Sequence, residues 1–296
     1  MKRGVTFAVG AYAIWGVSPI FWKLIKDIPA LEIVGHRIIW SFILVFGLTA
    51  ILEKNSPLKG ALKDRRVLLI FLISASLLLI NWVVYILAVN SGLIVDASLG
   101  YFINPLVSVC LGVIFLKEKL RIWQWIPVGI AFFGVIYLTI SYGSLPWIGL
   151  TLAFTFGVYG LLKKRVGLDP LNGFTFETGL MLFPAIVYLL ILESNGSGSF
   201  GHGSAFETIL LFCTGILTAL PLVLFGSAAQ SINLSTLGFI QYIAPTLQFI
   251  IGVYLYGESF TQDRLIGFGM IWFALVIFTI DSIIARQKPY IPAPAD

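Results

Sequence analysis

The stretch VLLIFLISASLLLINWVVYILAVN, residues 67–90, holds no charged side chain. As an α-helix it would be about 36 Å long at 1.5 Å per residue, enough to cross a hydrocarbon core of about 30 Å. Its apolar residues form a block rather than alternating with polar ones, which argues against a barrel strand. A backbone in lipid must satisfy its own hydrogen bonds, so the stretch reads as a membrane-spanning helix. Nine further blocks share this character, near 4–24, 30–52, 94–116, 122–140, 146–163, 171–193, 206–229, 233–257 and 264–286. The expected fold is therefore an all-α integral membrane protein of ten transmembrane helices. Across the 296 residues, 58% are hydrophobic and 11% charged, against about 25% charged in soluble domains.

The first block does not read as a cleaved leader. It is long, carries Trp15, Pro19 and Trp22, and runs into Lys23 and Lys26 instead of a small-residue cleavage site. Cys110 and Cys213 both fall inside blocks and read as free thiols packing as small hydrophobes, with no disulfide framework or metal spacing.

Of 19 Lys and Arg, one side of the ten-span arrangement takes Lys2, Arg3, Lys54, Lys59, Lys63, Arg65, Arg66, Lys117, Lys119, Arg121, Lys163, Lys164, Arg165, Arg286 and Lys288. The other side takes only Lys23, Lys26 and Arg264, and Arg37 lies within a span. Basic loops stay cytoplasmic, so both termini are expected inside, in a multi-pass protein of the plasma (inner) membrane. The same distribution explains the net charge of +5 without nucleic acid. The joints 53–66 and 194–205 are the longest polar segments; the second is Gly/Ser-rich, external, and reads as a flexible tether. The end of the chain, 287–296, is Pro-rich and reads as a disordered cytoplasmic tail.

A shift of 140 to 141 residues lays the second half over the first. Gly16, Val17, Lys23 and Pro29 fall on Gly157, Val158, Lys164 and Pro170. Pro105, Gly112, Val113 and Glu118 fall on Pro245, Gly252, Val253 and Glu258, and Gly129 and Phe133 on Gly269 and Phe273. Two five-helix units follow, 1–142 and 143–286. An odd number of spans per unit inverts the second copy, a recurring construction of secondary transporters that gives two nearly equivalent conformations.

Polar groups in hydrocarbon are costly and mark candidate sites. Glu32, His36 and Arg37 fall on the second span, and the repeat sets Glu177 opposite His36 and Thr178 opposite Arg37. Two readings compete: Arg37 in a permanent bridge to a carboxylate, or a polar cavity that binds substrate charge or a proton. The expected substrate- or proton-binding set is His36, Arg37, Glu177, Tyr101, Asn104, Gln241, Tyr242, Trp15 and Asn81. Ser18, Trp82, Tyr85, Asn90 and Gln248 form a second tier, with helix-to-helix hydrogen bonding as the alternative role. Mid-span Pro105 and Pro245, equivalent under the repeat, are candidate hinges, with static kinks as the alternative.

The motifs Ala11-Tyr12, Trp15-Gly16, Pro19, Glu32, His36-Arg37, Trp40-Ser41, Asn81-Trp82, Ala88-Val89-Asn90 and the run 97–106 are joined by Tyr159-Gly160, Glu177-Thr178, the run 234–239, Gln241-Tyr242-Ile243, Pro245-Thr246 and Gly257-Glu258. Together they resemble the EamA family of the drug/metabolite transporter superfamily, in its RarD-like branch. The resemblance implies ten helices in two EamA repeats, the bacterial inner membrane and a permease role.

The expected function is secondary transport of a small organic metabolite or drug-like compound by alternating access, with proton coupling as an option. The expected partners are a small-molecule substrate and membrane lipid, without nucleic acid; a homodimer is compatible. No cofactor or metal is called for. A channel or a regulatory membrane protein is the alternative. An intramembrane enzyme ranks below them, because the chain lacks His-Glu-x-x-His, Gly-x-Ser-x-Gly and a cluster of paired acids; it also lacks a nucleotide-binding motif, so direct ATP drive would need another chain.

Overall fold

The computed structural model describes residues 2–52, 65–117, 122–142, 144–166, 170–232 and 240–287. Glu118, the run 234–239 and the tail from residue 288 lie outside them. Ten helices are described: α1 Lys2–Leu24, α2 Ala30–Leu52, α3 Arg65–Asn90, α4 Ile94–Leu116, α5 Ile122–Tyr142, α6 Trp147–Val166, α7 Pro170–Ser194, α8 Ala205–Ser231, α9 Ile243–Ile250 and α10 Gln262–Gln287. A π-helical turn, Ile251–Leu255, continues α9. No strand occurs among the described residues.

Five helices, α1, α2, α3, α7 and α8, are long and apolar enough to cross a membrane. Shorter apolar segments lie in α4, α5, α6 and α9. The burial pattern suits a lipid solvent. Ile51, Phe183 and Tyr254 are among the exposed large hydrophobics, whereas Glu32, Ser41, Glu177, Thr178 and Thr214 are fully buried.

The helices group into two compact units. The larger comprises Met1–Ser108 and Trp147–Ser259, the smaller Val109–Pro146 and Phe260–Asp296. Each unit draws helices from both halves of the sequence, so compactness in space does not follow the duplication along the chain.

In the larger unit α1 packs on α8 and α9, α2 on α7 and α8, and α3 on α6. Small residues set these approaches. A Cβ added to Gly16 of α1 would lie 2.6 Å from Leu247 of α9, and one on Gly100 of α4 would lie 2.5 Å from the Gly149 carbonyl of α6. At the start of α4, Glu258 accepts from the Ile94 and Val95 amides at 2.8 Å each. Those are orphan donors of a helix N-terminus, where a carboxylate is favoured. Gly257, at φ +63°, supplies the left-handed turn that brings Glu258 there. In the smaller unit α5 packs on α10, with Leu138 and Ile271 fully buried.

The joint after α7 is not the loose tether its composition suggests. The buried Glu32 carboxylate takes the Ser199 amide at 2.6 Å and its hydroxyl at 3.0 Å, and Phe200 stacks on His36 at 4.9 Å. Two charge-assisted bonds and an aromatic stack fix the segment, which glycine content alone does not foretell.

Candidate functional site

Arg37 stands seven residues into α2, about 10 Å along its axis. Its guanidinium carbon lies 4.7 Å from the ring centre of Trp22 on α1 and 4.6 Å from that of Trp82 on α3. Both are within cation–π range, and a flat guanidinium suits such faces better than an ammonium. Its Nε donates to Thr218 Oγ1 of α8 at 2.8 Å. Its Nη1 has no hydrogen-bond partner among the described residues, although the residue is buried. The permanent bridge to a carboxylate weighed from the sequence is absent among these residues.

Arg37 opens onto a cavity inside the larger unit, walled by α1, α2, α3, α4, α6, α8 and α9. Trp15, Asn81, Tyr101, Gln241 and Pro245 of the expected site residues line it, with Ser18, Trp82, Tyr85 and Gln248 from the second tier. Its volume is about 60 Å³, room for only a few water molecules. Ser18 Oγ lies 3.0 Å from the Tyr85 hydroxyl. The Asn81 amide donates to Leu152 O at 3.2 Å and Thr155 Oγ1 at 2.9 Å, which fixes its oxygen toward the Tyr101 hydroxyl at 3.5 Å.

Pro19 explains one feature of the wall. Lacking an N–H, it cannot donate to the carbonyl of Trp15, the residue four positions earlier. That carbonyl instead accepts from Ser18 Oγ at 2.8 Å and from Gln248 Nε2 of α9 at 3.0 Å. A proline in the first half of the chain thus creates the acceptor that anchors a side chain of the second half.

The cavity is under-satisfied. Arg37 Nη1, Trp22 Nε1, the Tyr12 hydroxyl and Gln248 Oε1 all belong to lining residues, and none has a partner among the described residues. Buried polar atoms in folded proteins are nearly always bonded, so four orphans around one space require an explanation.

The remaining expected residues do not share this space. Successive residues on a helix point about 100° apart, so with Arg37 facing the cavity, His36 is turned elsewhere. Its Nδ1 accepts from Trp40 Nε1 at 3.3 Å, and it borders a separate hollow with Glu32, Ile39 and Phe200. Glu177 is fully buried on α7 and pairs with Lys163 of α6 at 2.9 Å, with Tyr159 donating at 3.3 Å and Ser74 also bonded to it. Asn104 is buried away from the cavity lining, and Tyr242 stacks on Phe102 at 6.5 Å. Pro105 lies within the unbroken α4; Pro245 falls in the first turn of α9, just past a break at Tyr242.

Tyr12, Trp22 and Phe156 also line the cavity, although the sequence does not mark them as site residues. Aromatic residues at this depth read as interfacial or core. The one available signal was helical spacing, since Tyr12, Trp15, Ser18 and Trp22 recur every three or four residues on one face of α1.

An apolar helical protein with a polar, aromatic cavity buried among helices of both sequence halves has the construction of a membrane carrier. The pattern of the EamA-like transporter family matches residues 2–140 and again 145–280, and the chain belongs to that family. It is 43% identical over 287 residues to Protein RarD of Streptomyces exfoliatus, covering 97% of this chain and 91% of that one. Protein RarD of Escherichia coli K12 is 42% identical, with 97% of each chain covered. An uncharacterized transporter of Bacillus subtilis, YojE, is 44% identical, with 95% of each covered. A solved crystal structure shares the fold at a TM-score of 0.65 and 14% identity, covering 97% of this chain and 99% of its own.

Proposed function

We infer that the protein is a secondary transporter of a small organic compound in the cell's inner membrane, working by alternating access. It has ten spans, both termini are cytoplasmic, and its two five-helix repeats are inverted. The observation that carries this reading is the cavity around Arg37, whose wall mixes helices of both repeats and four of whose lining residues carry a buried polar atom with no partner among the described residues. The names of the relatives, several of them transporters, support the same class.

At about 60 Å³ the cavity is contracted, so loading requires the wall to open toward one side. Helices α4 and α9 carry Pro105 and Pro245 at repeat-equivalent positions and are the elements proposed to hinge. The discontinuity at Tyr242 and the π-helical turn at Ile251–Leu255 leave α9 with fewer regular backbone bonds to break.

Proton coupling is assigned to Glu177, not His36. Protonating Glu177 would remove the charge that pairs with Lys163 and recast its bonds with Ser74 and Tyr159, a change of charge able to bias two conformations. His36 Nδ1 is occupied as an acceptor from Trp40, and its ring is stacked on Phe200. The test is uptake into proteoliposomes under an imposed pH gradient. Wild-type uptake should follow the gradient and Glu177→Gln should lose that response, whereas gradient-driven uptake surviving in Glu177→Gln would remove Glu177 from the mechanism.

A further inference from the structure

The orphan atoms of the cavity describe the molecule that fits it. We propose that the cavity recognises an organic monocarboxylate with an apolar or aromatic body and a hydrogen-bond donor at its far end. The inference rests on the transport reading and names the substrate class of the same site.

One pole of the cavity is Arg37 with Trp22. The guanidinium presents Nη1 and the indole presents Nε1, both donors without partners, one of them cationic. Among the described residues no Asp or Glu lines the cavity, and Arg37 has no counter-ion among them. The indole faces of Trp22 and Trp82 attract the cation but take up none of its N–H groups. An anion is the ligand that completes this pole.

The anion is a carboxylate on two grounds. With Nε held by Thr218, the end of the guanidinium carrying Nη1 is left to offer planar N–H donors, which match a planar carboxylate. Arg37 is also the one formal charge in the wall among the described residues, which balances a monoanion; a phosphate ester carries about −1.5 to −2 at pH 7 and asks for more donors and cations.

The other pole lies toward Tyr12 and Gln248. Gln248, a lining residue, is held by its amide nitrogen on the Trp15 carbonyl, and its Oε1 is a buried acceptor without a partner among the described residues. The hydroxyl of Tyr12, another lining residue, likewise has no partner among the described residues. Tyr12 and Trp22 are ten residues apart on α1, about 15 Å along the axis, so the poles are separated by more than a single small ion. Between them the wall is aromatic: Trp15, Phe156 and Tyr101 stand edge to face at 6.2 and 6.4 Å. A flat apolar body suits that middle section.

The test is binding to the purified full-length protein in detergent, read by intrinsic tryptophan fluorescence and thermal shift. The probes are 3-(4-hydroxyphenyl)propionate, its neutral amide, 3-phenylpropionate and 2-phenylethyl phosphate. The wild type should bind the hydroxylated acid at least tenfold more tightly than the amide, more tightly than the acid without the hydroxyl, and more tightly than the phosphate. Arg37→Gln should collapse the acid-to-amide ratio toward one. Gln248→Met should keep that ratio and lose the preference for the hydroxyl. The wild-type comparison does not depend on any variant folding. A panel in which the acid does not outdo its amide, or in which the phosphate outdoes the acid, overturns the assignment. Binding in detergent needs no compartment, so failure here leaves the transport reading to be judged separately by flux.

Discussion

Arg37 and Glu177 are both ionisable groups buried at membrane depth, and they solve the cost of burial differently. Glu177 has a cation at 2.9 Å and two hydroxyl partners, so it is balanced where it stands. Arg37 has two indole faces, one threonine and an open Nη1, so it is not. Breaking a buried ion pair by removing one partner costs about 3–5 kcal/mol, whereas an exposed pair contributes about 0–1 kcal/mol. Lys163→Met should therefore lower the melting temperature in detergent far more than Glu193→Gln, which removes the exposed pair with His202. Equal shifts for the two substitutions would show that the Lys163–Glu177 pair is not the internal brace described here. The sequence made both residues conspicuous, because charge in an apolar block stands out. It did not reveal that they occupy separate sites: the rotation of neighbouring residues on α2 and the partnership with Lys163, which reads as a loop charge, depend on how helices dock.

At the scale of elements, nine of the ten apolar blocks map closely onto described helices, because span length and hydrophobicity are local properties, while the block 233–257 holds the shorter α9 with 233–239 outside the described residues. The connections are less legible. The segment after α7 reads as a loose linker by composition, yet Glu32, distant in sequence, holds Ser199 by two bonds. Glu258 is a similar case. It stands out in the sequence as a repeat match and as part of the Gly257-Glu258 motif, and in the structure its two oxygens satisfy the first amides of α4. A helix cap of this kind is worth about 0.5–2 kcal/mol, and charged acceptors lie toward the upper end. Glu258→Gln should lower thermal stability by an amount in that range, while Glu258→Ala, which removes both acceptors, should lower it further. Identical stability in all three proteins would mean the contact does not support α4.

At the scale of the whole molecule, the duplication legible in the sequence and the compact units of the structure divide the chain differently. Repeats record how the chain is built, whereas compactness records which helix faces bury one another. The cavity belongs to the larger unit and draws on α1 to α4 from the first half and α6, α8 and α9 from the second. Much of its lining could be expected from polar residues in spans, Arg37, Trp15, Asn81, Tyr101 and Gln241 among them, but the absence of His36, Glu177, Asn104 and Tyr242 from the lining could not, since helix rotation is a tertiary property. The proposed topology makes a direct prediction. In a protein freed of Cys110 and Cys213, a cysteine at Ser197 should react with a membrane-impermeant maleimide on intact cells, and one at Lys117 only after permeabilisation. The reverse pattern would invert the orientation.

The central claim is that the Arg37 cavity is the site through which a carrier moves its substrate. Initial uptake rates of a radiolabelled aromatic monocarboxylate into proteoliposomes, measured against concentration, test it most directly. The rate should saturate, accelerate when the lumen is preloaded with unlabelled compound, and fall at least tenfold in Arg37→Gln protein of unchanged thermal stability. A rate that rises linearly without saturating, or one that Arg37→Gln leaves intact, would contradict it.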